Sequence, residues 1–248
     1  MRNVKIAIDG PPGSGKTTLL SGNNNEYSNS LESRGYFIWK ESTSKAVEEM
    51  MVKKIDNFLE TDEFMKKILK HEKEHHEQST VENIYFFDRG LPGYDFIVED
   101  LNPKWLPKFK EASKKYRYYS HVFIFKPIIT LKEVKKGGPQ GKVFNIKERI
   151  MIYEKMRNEY IKRGYKVIDV PLVSYNLETS NEKRIQFILA KLKELKVIAW
   201  ESIKRKEKQM NFFKKIRKAF RDFINEVLHE VKDSRNKYSG YQSPGDRD

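Results

Sequence analysis

Residues 10–18 read GPPGSGKTT, and their types and spacing could bind phosphate groups. The pattern G-x-x-x-x-G-K-[ST] has its defining positions at Gly10, Gly15, Lys16 and Thr17. Glycines let backbone N–H groups converge on phosphate oxygens because they lack a Cβ, and a helix that starts behind them adds a positive dipole end. This segment, called the phosphate loop below, is expected to bind the nucleotide through Gly10, Pro11, Pro12, Gly13, Ser14, Gly15, Lys16, Thr17 and Thr18.

The segments on either side of the phosphate loop fit this interpretation. Residues 4–8 form a short apolar run that predicts a buried strand, and residues 17–20 can begin a helix. In this order of strand, loop and helix, Lys16 reaches the β and γ phosphates and Thr17 holds magnesium. The sequence therefore predicts a site for ATP and Mg²⁺.

A second group of candidates follows the apolar run at residues 84–87. Asp88 should emerge at the carboxyl end of that strand, beside the phosphate loop, as a magnesium-side carboxylate or a base. Arg89 follows it, where many ATPases carry a glutamate that activates water, so phosphoryl transfer is favoured over hydrolysis. The alternative is a simple ion pair between Asp88 and Arg89 in a turn. No N-K-x-D or T-K-x-D segment follows a later strand, which disfavours a GTPase.

The elements that must position these residues follow from short apolar runs separated by helical segments. Five such runs predict an α/β fold, a three-layer sandwich around a parallel sheet with right-handed crossovers. The predicted strands are residues 4–8, 36–39, 84–87, 122–125 and 166–170. The predicted helices are residues 17–34, 45–77 with a break near Thr61, 103–116, 146–163 and 181–195.

A family resemblance rests on four segments of the sequence taken together: DGPPGSGKTT, KES, FFDRGLPGY and IKERIMIYEKMRNEYIKRGYKVIDVP. The chain resembles the P-loop kinase superfamily over residues 1–197, most closely the AAA-type small ATP-binding proteins related to the nicotinamide riboside kinase domain. The resemblance implies a five-stranded parallel sheet in the order 2-3-1-4-5, with ATP and magnesium as cofactors. It also implies an acceptor pocket opposite the phosphate loop, beneath a mobile lid.

Residue by residue, the resemblance assigns catalytic roles to Lys16, Asp88 and Arg89, and metal binding to Thr17 and Asp88. Asp9 and Glu41 become candidates for the acceptor side. For Asp9 the alternative is a structural role at the strand end, and for Glu41 it is an exposed acid that caps a helix.

The lid is expected between the fourth strand and the next long helix. Residues 135–142, KKGGPQGK, form a basic segment in that place whose lysines could close over the γ phosphate or remain solvated. Arg149, at the far end of this segment, is a further catalytic candidate, because one well-placed arginine can stabilise much of the charge in phosphoryl transfer.

Composition limits the remaining possibilities. The 248 residues include no cysteine, which excludes disulfides, thiolate metal sites and a thiol nucleophile and fits a reducing, cytoplasmic setting. A formal net charge of +14 favours anionic partners, and no apolar run approaches the roughly 20 residues of a membrane span. His71 and His75 have the i, i+4 spacing of metal ligands, but the surrounding charges favour a solvated helix face.

The composition changes after residue 197. Residues 198–233 predict a basic amphipathic helix, with nine basic residues against one acidic residue within 204–221. Three interpretations stay open: packing on the core or oligomerisation, contact with an anionic membrane surface, and binding of nucleic acid or a protein partner. Residues 234–248 are expected to be disordered.

The favoured hypothesis is an ATP-dependent phosphotransferase that moves the γ-phosphoryl group to a nucleoside-like or nucleotide-like acceptor. One alternative is a kinase for the 5′-hydroxyl end of a polynucleotide. The other is a nucleotide-gated ATPase or binding protein that recruits a partner or membrane through residues 198–233.

Overall fold

The structure is a computed structural model, and it describes residues 3–22, 30–53, 57–80, 83–118, 120–128, 133–135, 143–171, 177–197 and 221. The chain divides into two compact units, residues 1–199 and 200–248. In the second unit only Arg221 is described, and it is helical and exposed. The predicted basic helix at 198–233 and the predicted disordered tail therefore lie outside the described residues, apart from this one position. Within the described part of the chain, no helix is both long enough and apolar enough to cross a membrane.

A five-stranded parallel sheet flanked by helices forms the centre of the first unit. The strands in chain order are β1 (Val4–Asp9), β2 (Phe37–Trp39), β3 (Ile84–Asp88), β4 (His121–Phe125), β5 (Glu133–Lys135), β6 (Val143–Asn145) and β7 (Lys166–Val170). The sheet has the order β2-β3-β1-β4-β7, and all of its neighbouring strands are parallel.

The predicted fold class is thus confirmed. The sequence analysis missed the antiparallel hairpin formed by β5 and β6. When these two strands are not counted, β7 is the fifth strand and the sheet has the expected order 2-3-1-4-5. These strands have only three residues each, too short for an alternating pattern to distinguish them from loop residues.

The helices are α1 (Lys16–Ser21), α2 (Ser42–Val52), α3 (Asp62–Gln78), α4 (Asp95–Leu101), α5 (Leu106–Lys115), α6 (Ile146–Lys162) and α7 (Leu177–Glu194). Their ends carry the expected local signals. The Thr61 side chain caps α3 by accepting from the Phe64 N–H at 3.3 Å, and Asn145 caps α6 in a capping box with Glu148.

The predicted helix at residues 17–34 was too long. α1 ends at Ser21, and Gly22 follows with a φ of 80° and donates its N–H to the Thr18 carbonyl at 2.9 Å. A left-handed glycine ends a helix without a Cβ penalty, and the Asn-rich and Ser-rich residues beyond it have low helix propensity. A separate 3₁₀ turn, Glu32–Arg34, ends at Gly35 with a φ of 78°.

The central strands are buried from both sides. Ile6, Ala7 and Ile8 of β1 are fully buried, as are Phe123 and Ile124 of β4. Parallel strands covered by helices on both faces are expected to be continuously apolar, which is the pattern that the sequence showed. The carboxyl ends of β1 and β3 lie side by side, with Ile8 opposite Asp88 in the register.

The histidines of α3 are buried, so the expectation of a solvated helix face was wrong. The His75 ring stacks on Trp39 with ring centres 4.5 Å apart, and the His76 ring lies 4.8 Å from that of Phe87. Burial lowers the pKa of His75 to about 4 and that of His76 to about 3, so both rings are neutral at pH 7. Among the described residues, no three His, Cys, Asp or Glu side chains lie together as metal ligands.

Candidate active site

The phosphate loop follows β1 and takes backbone conformations that favour glycine. Gly10, Gly13 and Gly15 have φ values of 151°, 70° and 87°. A Cβ added to Gly10 would lie 2.8 Å from the carbonyl oxygen of Phe125, closer than real Cβ contacts come. Gly10 and Gly15, two defining residues of the pattern, lie where the backbone of the loop is left-handed. At Gly10 the backbone also lies too close to β4 for a side chain.

Lys16 folds back across the loop. Its Nζ donates to the carbonyl oxygen of Gly10 at 2.9 Å, and the side chain is buried. Burial lowers the pKa of Lys16 and the charge of Arg89 lowers it further, while the carboxylates of Asp88, Glu41 and Asp9 raise it. The Lys16 amino group is thus held across a loop whose conformation suits phosphate.

Thr17 and Asp88 meet beside the loop. Thr17 Oγ1 donates to Asp88 Oδ2 at 2.9 Å, although 71 residues separate them in sequence. Asp88 Oδ1 is buried and has no hydrogen-bond partner among the described residues. Burial raises the pKa of Asp88, and Lys16 opposes this shift. A hydroxyl and a carboxylate oxygen are ligands that Mg²⁺ prefers, so these residues fit the predicted cation.

Arg89 lies between two carboxylates. Its Nε donates to Glu41 Oε1 at 2.9 Å, and one terminal nitrogen lies 3.3 Å from Asp9 Oδ1. Burial lowers the pKa of the guanidinium, but Glu41 and Asp9 raise it above its ordinary high value, so Arg89 stays charged. We call Arg89, Glu41 and Asp9 the arginine cluster; it joins three residues that the sequence analysis named separately.

The backbone of Arg89 explains how its side chain reaches this position. Its φ is 84°, an uncommon value for a residue with a Cβ, and its N–H donates to the Ile8 carbonyl at 2.9 Å. The chain then turns back through the 3₁₀ turn Leu91–Tyr94. Strain of this kind persists where the surrounding contacts hold it, as the contacts of the arginine cluster do.

Both carboxylate oxygens of Asp9 have hydrogen-bond donors. Its Oδ1 accepts from the Gly10 N–H at 2.8 Å, and its Oδ2 accepts from the Tyr160 hydroxyl at 2.9 Å. A Cβ on Gly93 would lie 1.7 Å from Asp9 Oδ2. The Asp9 side chain is fully buried, so it shapes the end of β1 as well as contacting Arg89.

Glu41 occupies a different environment. It precedes α2, but its side chain makes no capping hydrogen bond with that helix; Oε1 accepts from Arg89 and, at 2.6 Å, from Thr43 Oγ1. Its side chain is 11% exposed, whereas that of Asp9 is 0% exposed. Of the two carboxylates on Arg89, Glu41 is therefore the one that a small molecule can reach.

The remaining predicted residues lie apart from these contacts. Arg149 is buried on α6, and one of its terminal nitrogens donates to the Ile128 carbonyl at 3.1 Å. Its catalytic role stays a prediction. Of the predicted lid, Lys135 ends β5, and residues 136–142 lie outside the described residues.

Arg184 contacts the phosphate loop and was missed by the sequence analysis. This residue of α7 is fully buried, and it donates from Nε to the Pro171 carbonyl and from a terminal nitrogen to the Ser14 carbonyl, both at 3.1 Å. Its guanidinium carbon lies 4.9 Å from the centre of the Phe125 ring. Arg184 thus joins α7 to the phosphate loop through the Ser14 carbonyl.

A signal for Arg184 was present in the sequence. The buried positions of α7 recur at spacings of three and four, and Arg184 falls on this stripe with Ile185, Ile188, Leu189 and Leu192. A charged residue on an apolar stripe has to find a buried partner. Glu72 of α3 shows the same signal, since it falls on the stripe formed by Phe64, Met65, Ile68, His71, His75 and His76.

A cavity of about 260 Å³ lies between the turn Leu91–Tyr94 and the helices α4, α5 and α6. Phe96 lines it, and the ring of Phe96 also lies 5.5 Å from the guanidinium carbon of Arg89. No residue of the phosphate loop lines this cavity. It therefore adjoins the arginine cluster through one aromatic side chain.

The parallel sheet, the left-handed glycines and the Lys16 and Thr17 contacts define a P-loop nucleotide-binding protein. A family model described as "AAA domain" matches residues 5–178. This match spans well over half of the chain, so the chain belongs to that family, and the predicted membership among the AAA-type ATP-binding proteins is confirmed. A search of the curated proteins gave no match.

Several solved structures are similar to the chain. A deoxyadenosine kinase from M. mycoides with bound dATP is 18% identical, with a TM-score of 0.47, over 77% of this chain and 99% of that chain. A NadR protein in complex with NR is 12% identical, with a TM-score of 0.44, over 73% of this chain and 49% of that chain. A thymidylate kinase from Ehrlichia chaffeensis is 15% identical, with a TM-score of 0.41, over 75% and 97%.

Proposed function

We propose that this protein is a kinase that transfers the γ-phosphoryl group of Mg-ATP to a hydroxyl group of a nucleoside-like molecule. The observation that carries the proposal is the arginine cluster beside the Thr17 and Asp88 pair. Arg89 of this cluster directly follows Asp88 in the chain. The end of β3 thus supplies Asp88 to the phosphate side of the reaction and Arg89 to the acceptor side. This arrangement suits transfer between two bound molecules.

On the phosphate side, the loop glycines bind the triphosphate and Lys16 exchanges its contact with Gly10 for a phosphate oxygen. Thr17 Oγ1 and the Asp88 carboxylate would hold magnesium, which neutralises charge on the phosphate oxygens when it is bound. Because Asp88 Oδ2 already contacts Thr17, Asp88 acts on the metal side and is a poor candidate for the base.

On the acceptor side, the charges favour a hydroxyl over a phosphate. Arg89 already contacts Glu41 and Asp9, so its charge is balanced, and an anionic acceptor would be repelled by the net negative charge of the arginine cluster. A hydroxyl can donate to Glu41, the more exposed of the two. The oxygen of the acceptor hydroxyl then forms a bond to the γ phosphorus, and the bond from that phosphorus to the ADP oxygen breaks. The hydroxyl proton passes to Glu41.

The test is transfer of label from [γ-³²P]ATP with magnesium to a panel of nucleosides, nicotinamide riboside, nucleoside monophosphates and 5′-hydroxyl oligonucleotides. Label is expected on a hydroxyl of a nucleoside-like compound. Lys16→Ala abolishes this transfer, and Lys70→Ala, at a side chain 70% exposed on α3, leaves it intact. Transfer to monophosphates alone, or hydrolysis without any labelled acceptor, contradicts the proposal.

A further inference from the structure

A buried carboxylate on α3 connects the segments that carry Glu41 and Arg89. Glu72 is 1% exposed. Its Oε1 accepts from the Ser42 hydroxyl at 2.7 Å and from the Tyr94 hydroxyl at 3.2 Å, and its Oε2 accepts from the Tyr118 hydroxyl at 3.0 Å. Three hydroxyl groups from three different parts of the chain therefore converge on one carboxylate.

Two of these donors adjoin the arginine cluster. Ser42 directly follows Glu41, and its N–H donates to the Tyr94 hydroxyl oxygen at 3.0 Å. Tyr94 ends the turn that follows Arg89, and its ring centre lies 5.7 Å from the guanidinium carbon of Arg89. Glu72 thus holds both the start of α2 and the turn after β3, which together set the contact between Glu41 and Arg89.

The hydrogen-bond pattern favours an ionised Glu72. The hydroxyl oxygen of Tyr94 accepts from Ser42, and that of Tyr118 accepts from the Leu91 N–H at 3.1 Å. The hydroxyl hydrogens of both tyrosines are therefore directed at Glu72. A proton on the Glu72 carboxyl finds an acceptor only if one of the three hydroxyl groups turns its own hydrogen away, so one of the three donations to the carboxylate is reversed or lost.

The charges around Glu72 place its ionisation in an ordinary pH range. Burial raises the pKa of Glu72 to about 7; the three hydroxyl donors lower it and the Glu41 charge raises it. His76, on the same helix, packs on the Tyr118 ring and is neutral because burial lowers its pKa to about 3. Arg89 lies against the ring of Tyr94, and its Nε and terminal nitrogen contact Glu41 and Asp9 instead.

We propose that Glu72 is a positioning residue: as a carboxylate it holds Glu41 and Arg89 in the geometry that the acceptor hydroxyl needs, and protonation relaxes that geometry. The phosphate loop makes no hydrogen bond with Glu72 among the described residues, so Mg-ATP binding should not share this dependence. The inference rests on the proposed function for its kinetic test, and on the structure alone for its spectroscopic test.

The kinetic test compares Glu72→Gln with Glu77→Gln, a change at a side chain 54% exposed on the same helix. In the wild-type protein, kcat/KM for the acceptor should fall about tenfold on acidification from pH 8 to pH 6, the loss expected for one hydrogen bond to a charged group. Glu72→Gln should show the low value at both pH values with an unchanged KM for Mg-ATP. Glu77→Gln should behave like the wild type.

The spectroscopic test needs no catalysis. The ¹⁵N resonance of Arg89 Nε, assigned from its loss in Arg89→Lys, should shift with a midpoint near the Glu72 pKa of about 7. The shift should vanish in Glu72→Gln. In Ser42→Ala the midpoint should rise, because one donor to the ionised form is lost.

The outcomes separate the two proposals. A wild-type protein that labels no acceptor removes the proposed function, and the Arg89 resonance still decides the role of Glu72. An Arg89 resonance that does not titrate, or titrates equally in Glu72→Gln, overturns the positioning role. A Glu72→Gln protein that loses Mg-ATP affinity as much as acceptor affinity also overturns it, since Glu72 would then only support the fold.

Discussion

Arg89 Nε and Glu41 Oε1 lie 2.9 Å apart, although 48 residues separate them in the chain. Glu41 follows β2 and Arg89 follows β3, and these strands are neighbours in the sheet. Because parallel strands end at the same edge, residues after two adjacent strands meet there. The contact joins a buried cation to a carboxylate that is partly accessible, and it sets the charge pattern of the proposed acceptor side.

Replacing Glu41 tests the assignment of the base. Glu41→Gln keeps the size of the side chain and removes its capacity to take a proton, so kcat should fall roughly 100-fold or more, as for the loss of a general base. The KM for Mg-ATP should change little because the phosphate loop is untouched. Steady-state kinetics measures both parameters, and the control is Glu48→Gln, a change at an exposed position of α2. A kcat close to that of the wild type would show that another group accepts the proton.

The metal side is tested through Asp88. Asp88→Asn removes a charge from the pair with Thr17, so the Mg²⁺ concentration that gives half-maximal transfer should rise about tenfold or more. A magnesium titration at saturating ATP measures this change, and Asp100→Asn, at an exposed position of α4, is the control. An unchanged magnesium requirement would remove Asp88 from the metal site.

The contact of Arg184 with the loop predicts a defect in ATP binding. Arg184→Met retains much of the side-chain volume and loses the hydrogen bonds to Ser14 and Pro171, so the KM for Mg-ATP should rise about tenfold, as for roughly 1.4 kcal/mol of lost stabilisation. Transfer at saturating ATP should stay near the wild-type rate. Lys183→Met changes the exposed neighbour and should leave KM unaffected. Equal effects of both substitutions would contradict a specific role for Arg184.

Gly93 tests how closely the turn after β3 packs on Asp9. In Gly93→Ala the new Cβ would lie 1.7 Å from Asp9 Oδ2, so the turn or Asp9 has to move. The free energy of unfolding should drop by about 1–3 kcal/mol, as for overpacking, and transfer should weaken because Asp9 contacts Arg89. Gly164→Ala is the control: its Cβ would meet nothing within 4 Å, although its φ of 78° also disfavours alanine. Urea denaturation and kcat/KM should separate the two, with activity lost only in Gly93→Ala.

The buried histidines predict a loss of stability in acid. The pKa of His76 is about 3 in the folded protein, against 6.5 for an exposed histidine, so between these pH values the unfolded chain binds one more proton than the folded chain. Stability from His76 is present above pH 6.5 and falls with decreasing pH by about 1.4 kcal/mol per pH unit. Glu72, whose pKa is raised, acts in the opposite direction over pH 4.5 to 7. The measurement is therefore the difference between wild type and His76→Phe in urea denaturation at pH 7.5, 6 and 5. A difference that does not vary with pH would contradict a neutral buried His76.

Much of the fold could be predicted from local patterns in the sequence. Five strands of the sheet, the ends of several helices and the P-loop were predicted because apolar runs, capping residues and glycines act over a few neighbouring positions. The short hairpin of β5 and β6 and the helix α4 were missed. The predicted first helix was too long because the glycine at position 22, not the periodicity beyond it, sets its end.

The sequence by itself determined the conformation of the phosphate loop, since the loop is a run of consecutive residues whose backbone depends on their own glycines. It also named Asp9, Glu41, Asp88 and Arg89 one by one. Only the tertiary structure decided which of these residues contact one another, that His75 and His76 are core residues, that Arg184 of α7 contacts the phosphate loop, and that Glu72 of α3 contacts Ser42 and Tyr94. The physical reason is that a buried charge is stabilised by partners distant in sequence, and the packing of helices on the sheet selects those partners.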